Sequence, residues 1–415
     1  MRTILHCDLN NFYASVATLD RPELAGIPMV VGGSESLRRG IVLAKNERAK
    51  PFGIQTGEPL FQARQKCPGL TVVPPQGEKY VEMSGYVREI YARYTDQVEP
   101  FGIDECWLDV TGSARLFGDG VAIADELRRT VKSELGLTIS VGVSFNKCFA
   151  KLGSDLKKPD GTTLIDYDHF TGIVWPLPAG ELFGVGRKTA QKLAGRGIFT
   201  IGDIAESGCP FMERLLGKNG FSLWLSAMGL ENAPVHRENE VDPIKSIGQS
   251  ATCARDLVDV GEVEEVLREL SERVAARLRK KGFRAGTVTV SVKDNAFAYQ
   301  EYSETLALST ESARLLGDAA ISLFAERHKW DNPLRALGVR ATYLVPADLP
   351  EQLCLYGEGN RIRRLEELER KVDDLCGKYG KGFVRPAARL IPTSATARFD
   401  GSTALPAFTK IDSAL

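Results

Sequence analysis

Residues 98–110 of this 415-residue chain, VEPFGIDECWLDV, set two adjacent acids, Asp104 and Glu105, within an apolar hairpin. The stretch reads as two strands about a tight turn at Gly102. A third acid, Asp8, ends another short apolar strand, far away in sequence. Ionised carboxylates are costly in apolar surroundings unless they are neutralised, so placing them at strand ends invites a cation. Oxygen ligands of this kind select Mg²⁺, which takes one or two carboxylates plus substrate phosphates. Two such ions about 3.5–4 Å apart clamp both the attacking and the leaving oxygen of a phosphoryl transfer. The competing reading, solvated strand-end acids, stands level with this one on the pattern alone.

Composition removes several classes. A length of 415 residues with 43% hydrophobic and 26% charged positions suits two to four globular domains. Formal net charge is −1, so any nucleic acid must be met by local patches. No apolar run of about 18 residues suggests a membrane span, and the N-terminus MRTILHCDLNNFYAS turns polar too early for a signal peptide. Eight cysteines without a C-x-x-C pair argue against a zinc site or disulfide scaffold and suit a reducing cytoplasm. The four histidines, His6, His169, His236 and His328, lack ligand spacing and read as ordinary core or surface residues.

Strands and helices interleave up to about residue 165, an α+β pattern with a mostly antiparallel sheet. From Asp166 to about 230 the chain reads as helices broken by glycine turns, and 231–243, ENAPVHRENEVDP, as an interdomain linker. Residues 244–345 read β-α-β-β-α-β. Beyond Pro346 come an apolar knot at 351–356, an amphipathic helix around 361–378 and a Pro, Ala and Ser/Thr-containing tail that reads as mobile. Ile362, Leu365, Leu368, Val372 and Leu375 form that helix's apolar stripe, which covers a core more often than it binds a partner.

Four segments, CDLNNFYASVATLDRPEL, VLAKNERAKPFGI, GIDECWLDVTG and SVGVSFNKCFAKLGSDLKKPDG, resemble in order and spacing the palm and fingers of Y-family translesion DNA polymerases. They are most similar to the bacterial DinB/UmuC, polymerase IV-like type, and the resemblance extends over about residues 1–345. It implies an α+β multidomain, right-hand fold: palm (1–10 and 78–165), fingers (11–77), helix-hairpin-helix thumb (166–230), linker (231–243), β-α-β-β-α-β little finger (244–345) and tail (346–415). It implies template-directed, low-fidelity transfer of dNTPs to a primer, with Asp8, Asp104, Glu105 and the Leu9 carbonyl holding two Mg²⁺ ions. Tyr13 matches the steric gate against a 2′-hydroxyl, Phe12 the triphosphate cradle, and Lys50 and Lys158 the phosphate-reaching cations. Such roles suit a reaction catalysed by positioning and charge stabilisation.

Some positions depart from the family pattern. Lys50 stands where many members carry Arg, which exchanges a bidentate contact for a point charge. Glu47 replaces a Tyr of the polymerase IV branch, and an acid there is expected to point away from the triphosphate. Gly102 replaces Ser and is expected to loosen the hairpin turn. Asn10 and Asn11 lean toward the UmuC-like branch.

The stretch Leu182–Thr189, LFGVGRKT, is neither a P-loop, since Val185 stands five residues after Gly180, nor a dinucleotide fingerprint, since Thr189 is not the small third residue. It resembles a helix-hairpin-helix, in which Gly184 and Gly186 let the backbone approach a DNA phosphate and Lys188 adds charge. In the little finger, Ser246, Arg335 and Arg340 are expected phosphate contacts. The cluster Arg273, Arg277, Arg279, Lys280, Lys281 and Arg284 reads as a solvated face unless the DNA backbone runs beside it. Gln352, Leu353, Leu355 and Tyr356 resemble a sliding-clamp-binding peptide. The expected partners are primer–template DNA, dNTPs and the sliding clamp, for a cytoplasmic monomer that contacts no membrane. Two rivals remain: a non-catalytic DNA- and clamp-binding subunit on this scaffold, and a palm-domain nucleotidyl cyclase.

Overall fold

A computed structural model describes residues 1–34, 38, 40–237, 240, 243–349, 358–380 and 383–384. The chain forms two compact units, one mainly Met1–Gly33 with Ile41–Val241, the other mainly Asp242–Asp400.

In the first unit, β1 (Ile4–Leu9) leads into α1 (Phe12–Asp20). β2 (Met29–Gly32), β3 (Val42–Lys45), α2 (Leu60–Lys66) and β4 (Thr71–Val73) make a small layer in which β3 and β4 flank β2. Next come α3 (Gly77–Ala92), the hairpin of β5 (Val98–Pro100) and β6 (Glu105–Asp109), and the short α4 (Ala114–Phe117). α5 (Gly120–Leu135), β7 (Ile139–Ser144), α6 (Lys147–Leu156) and β8 (Thr162–Ile165) follow. The main sheet runs β5-β6-β1-β7-β8, antiparallel except for the β7–β8 pair.

Every residue of β1 is buried, because the central strand is covered on both faces. Leu5, Cys7 and Leu9 meet the core residues of α3 and α5, such as Tyr91 and Leu127. The alternate residues Ile4, His6 and Asp8 lie on the other face, where Ile4 packs with Trp107 and with Ala150 of α6. Asn146 starts α6 by accepting from the Phe149 N–H at 2.7 Å. Gly142 lets α6 press onto β7, since a Cβ there would lie 1.9 Å from the Ala150 carbonyl oxygen. Gly102 has φ 85°, a conformation that strains other residues. The glycine expected to loosen the hairpin is therefore the residue its turn requires.

α7 (Phe170–Val174), α8 (Arg187–Ala194), α9 (Ile201–Glu206), α10 (Cys209–Leu216) and α11 (Lys218–Ala227) form the helical part, around Leu193, Ile201, Ile204 and Met212. The stretch expected to be a linker is partly fastened. Arg2 Nη1 donates to the Ala233 carbonyl at 2.9 Å, the His236 N–H donates to Glu99 Oε2 at 2.9 Å, and Val235 is buried with Ile4 and Trp107. Its first half belongs to the first unit because an apolar side chain and paired polar groups hold it there.

The second unit follows the β-α-β-β-α-β order: β9 (Ser246–Leu257), α12 (Val260–Lys281), β10 (Phe283–Asp294), β11 (Tyr299–Thr310), α13 (Ala313–Arg327) and β12 (Leu334–Pro346). The sheet runs β11-β10-β12-β9, all antiparallel, with α12 and α13 packed on the face that carries Val288, Val290 and Val339. The last helix, α14 (Glu358–Tyr379), docks through acids, and Leu368 and Leu375 of its apolar stripe stay exposed. Glu366 Oε1 accepts from Thr310 Oγ1 at 2.7 Å and from the Glu311 N–H at 3.1 Å. Glu369 accepts from Ser312 Oγ at 2.8 Å and from the Ala313 N–H at 2.7 Å. The start of α13 thus receives its anionic partners from a helix much later in the chain.

Candidate active site

The register of β1 and β6 sets Asp8 directly opposite Glu105 and His6 opposite Trp107. The Leu9 N–H donates to the Asp104 carbonyl at 3.0 Å, which extends the ladder to the third acid. Asp8, Leu9, Phe12, Tyr13, Asp104, Glu105 and Lys158 line one cleft of about 510 Å³, within the range of ligand pockets. Val42, Ala44 and Thr56 from the small sheet layer and its following turn form another wall.

Burial raises the Asp8 carboxyl to about 6 against the pull of Lys158. Burial and then the charges of Asp8 and Glu105 raise Asp104 to about 7. Glu105 is buried too, but the adjacent His6 imidazole and Lys151 ammonium hold it at about 2. Lys158 Nζ donates to Asp8 Oδ2 at 2.8 Å and pairs with Asp155 Oδ1 at 2.7 Å, and Lys151 pairs with Glu105 Oε2. Among the described residues no three His, Cys, Asp or Glu side chains close into a ready metal cage. The donor set still fits divalent cations: three carboxylates share a cleft, two of them resist ionisation, and lysines now neutralise two of them.

The loop that carries Lys158 is anchored through Asn10. The Asp160 N–H donates to Asn10 Oδ1 at 2.8 Å, and Asn10 Nδ2 donates to Ser140 Oγ at 2.9 Å. Asn10 is thus a brace between β1 and that loop. The Tyr13 ring stacks on Tyr80 with centroids 4.1 Å apart, and its buried hydroxyl has no hydrogen-bond partner. Stacking fixes the ring in the cleft. Lys50 does not line the cleft; its Nζ lies 2.5 Å from Glu47 Oε1, which also accepts from Asn11 Nδ2 at 2.7 Å. Glu47 therefore engages the expected phosphate cation, while Asn11 beside it does line the cleft.

The remaining expected residues lie outside this cleft. Gly184 has φ 93°, and Gly186 precedes α8 without a side-chain cap, so the first N–H groups of a helix carrying Lys188 lack a capping side chain. Ser246 opens β9, Arg335 lies 5.1 Å from the Phe297 ring centre, and Arg340 pairs with Glu301 at 2.9 Å. Arg279 of the basic cluster turns inward, with Nη1 2.8 Å from Glu369 Oε2 and Nε 2.6 Å from Asp373 Oδ2. Gln352, Leu353, Leu355 and Tyr356 lie outside the described residues. The sequence alone reads His6 as an ordinary residue and does not single out Lys151. One signal was present: His6 stands two residues before Asp8 and therefore on the same strand face.

The chain matches the impB/mucB/samB family over residues 7–155 and that family's C-terminal domain over 244–355. It is 46% identical over 384 residues to a protein named DNA polymerase IV from Acetivibrio thermocellus, covering 92% of this chain and 96% of the relative. The chain belongs to the DinB-type Y-family DNA polymerases. DNA polymerase IV of Moorella thermoacetica is 39% identical (96% of this chain, 98% of the relative), and DNA polymerase IV 1 of Bacillus subtilis 36% identical (94% and 93%). A solved Y-family DNA polymerase chimera shares the fold at TM-score 0.75 and 24% identity, covering 83% of this chain and 99% of its own. The Asn10 and Asn11 of this Y-family chain thus occur in a protein whose relatives carry the polymerase IV name. The bracing role of Asn10 explains the residue without a shift of branch.

Proposed function

We propose that this cleft performs template-directed transfer of a deoxynucleotide to a primer 3′-hydroxyl, as a translesion DNA polymerase does. The observation that carries the proposal is the meeting of Asp8, Asp104 and Glu105 with Tyr13 and Lys158 in one cleft. In the reaction, the primer oxygen bonds to the α-phosphorus as the bond to the pyrophosphate oxygen breaks. Asp8, Asp104, Glu105 and the Leu9 carbonyl would hold two Mg²⁺ ions, which supply Lewis acidity and ease deprotonation of the 3′-hydroxyl. Lys158 exchanges Asp8 for the triphosphate and stabilises charge on it, and Lys50 leaves Glu47 to do the same. Phe12 would help cradle the triphosphate, and Tyr13 would exclude a 2′-hydroxyl.

DNA is held by the Gly184–Lys188 turn and by the open face of the second unit's sheet, through Ser246, Arg335 and Arg340. The Gln352–Tyr356 segment engages a sliding clamp on the strength of its sequence. No described helix is long and apolar enough to cross a membrane. The described cysteines are free, as a reducing cytoplasm would keep them. The test is primer extension with Mg²⁺ and four dNTPs. Asp104→Ala should cost at least about 100-fold in rate, the scale of losing a central electrostatic group, while DNA affinity stays near wild type. Equal extension by the variant would remove this cleft as the active site.

A further inference from the structure

We propose that His6 is a positioning residue for this reaction: its imidazole fixes the Glu105 carboxylate at the catalytic end of the cleft. The proposal rests on the active-site reading given above.

His6 is fully buried in the central strand, and a polar ring there is costly unless its nitrogens are satisfied. Nδ1 lies 2.8 Å from Ser154 Oγ. Nε2 lies 3.3 Å from Glu105 Oε2, short of full hydrogen-bond alignment. The ring meets Trp107 edge-on, with centroids 5.3 Å apart, which limits its rotation.

Hydrogen bookkeeping leaves two arrangements of neutral His6. Ser154 carries one hydroxyl hydrogen and has two acceptors in reach, the Lys151 carbonyl at 2.7 Å and His6 Nδ1. If that hydrogen goes to Lys151, neutral His6 must donate from Nδ1, and the bare Nε2 lone pair then faces a carboxylate. If Ser154 donates to Nδ1, the ring hydrogen sits on Nε2 and is directed at Glu105. The Glu105 charge favours the second arrangement, so Ser154, His6 and Glu105 form a directed chain. The Lys151 ammonium falls on the same oxygen, Oε2. In that arrangement two donors face one carboxylate oxygen, and Oε1 is engaged by neither.

Hydrogen-bond partners of ligating carboxylates set ligand orientation, and losing one typically costs about 10–100-fold in metal affinity or activity. His6→Phe keeps the ring's bulk and removes the donor. It should lower kcat by about 10–100-fold and weaken Mn²⁺ binding to the enzyme–DNA complex by about tenfold, read by electron paramagnetic resonance without nucleotide. KM for dNTP and DNA affinity should stay within about twofold, since Tyr13, Lys158 and the Gly184–Lys188 turn are untouched. His6→Gln, whose amide N–H reaches about as far as Nε2, should restore most of both losses, whereas His6→Asn, which mimics Nδ1, should not. Ser154→Ala, which leaves the ring in place, should shift Mn²⁺ affinity in the same direction.

Wild-type kcat and Mn²⁺ affinity in His6→Phe would overturn the proposal, as would His6→Gln falling as far as His6→Phe at an equal melting temperature. If His6→Phe fails to fold, His6→Gln against His6→Asn decides alone. Asp104→Ala is run alongside. Full activity there would sink the active-site reading, whereas an inactive Asp104→Ala beside a normal His6→Phe would sink only the role of His6.

Discussion

Asp8 and Asp104 hold protons to about pH 6 and about pH 7 in the folded chain, against an ordinary value of 3.8. Between those values the folded state keeps protons that the unfolded chain gives up, so metal-free stability falls as pH rises from about 4 to about 7. Glu105 has the opposite sign. Held at about 2, it contributes fully above its ordinary 4.5 and loses that contribution as pH falls toward 2. Divalent cations require ionised carboxylates, so their stabilising effect should grow with pH over the range where the aspartates titrate. Melting temperatures with Mg²⁺ and with EDTA should diverge from about pH 5.5 to 8, and Asp104→Asn should flatten the divergence. A constant difference across that range would contradict these shifts. Asp8, Asp104 and Lys158 were legible because their types and motif context match polymerase chemistry. His6 was not, because a single histidine carries no spacing signal and its partner is set by cross-strand register. Glu47 looked out of place beside a triphosphate until Lys50 and Asn11 proved to be its partners.

The clearest dependence of one element on another is between α13 and α14. Glu369 supplies the carboxylate that the Ala313 N–H and Ser312 hydroxyl use, and Arg279 holds Glu369 in turn. Glu369→Ala should therefore destabilise the second unit by about 1–2 kcal/mol, the scale of a lost helix cap. Amide hydrogen exchange is the suitable measurement, with faster exchange expected at residues 312–315 and little change in β1. This arrangement also alters how clamp binding should be probed. Deleting everything after residue 350 would remove the capping acids along with the peptide, so substitution of Leu353 and Leu355 is the cleaner variant. The long helices and strands were readable from periodicity. β4 and β8, of three and four residues, carry too little pattern to register. Glu366 and Glu369 carry no local signal, because their partners lie in a distant part of the chain.

For the molecule as a whole, a net charge of −1 leaves DNA binding to local groups. Affinity should fall steeply with salt because phosphate contacts release counterions. Lys188→Ala should reduce the slope of log affinity against log salt by about one, uniformly across DNA sequences. Equilibrium binding at several salt concentrations checks this, and an unchanged slope would remove Lys188 from the interface. The α+β class and the element order of the second unit were legible because alternation and helical period switch cleanly along the chain. The fastening of residues 231–237 was not, because a polar, proline-bearing segment looks the same free or pinned. The contact of Gly142 with the Ala150 carbonyl also has a consequence for inheritance. Any side chain there must prise α6 from the sheet, and with it Lys151, Ser154 and the approach to Lys158. In a randomised library selected for DNA synthesis, codon 142 should tolerate change as poorly as codon 8 does, although its residue never meets a substrate.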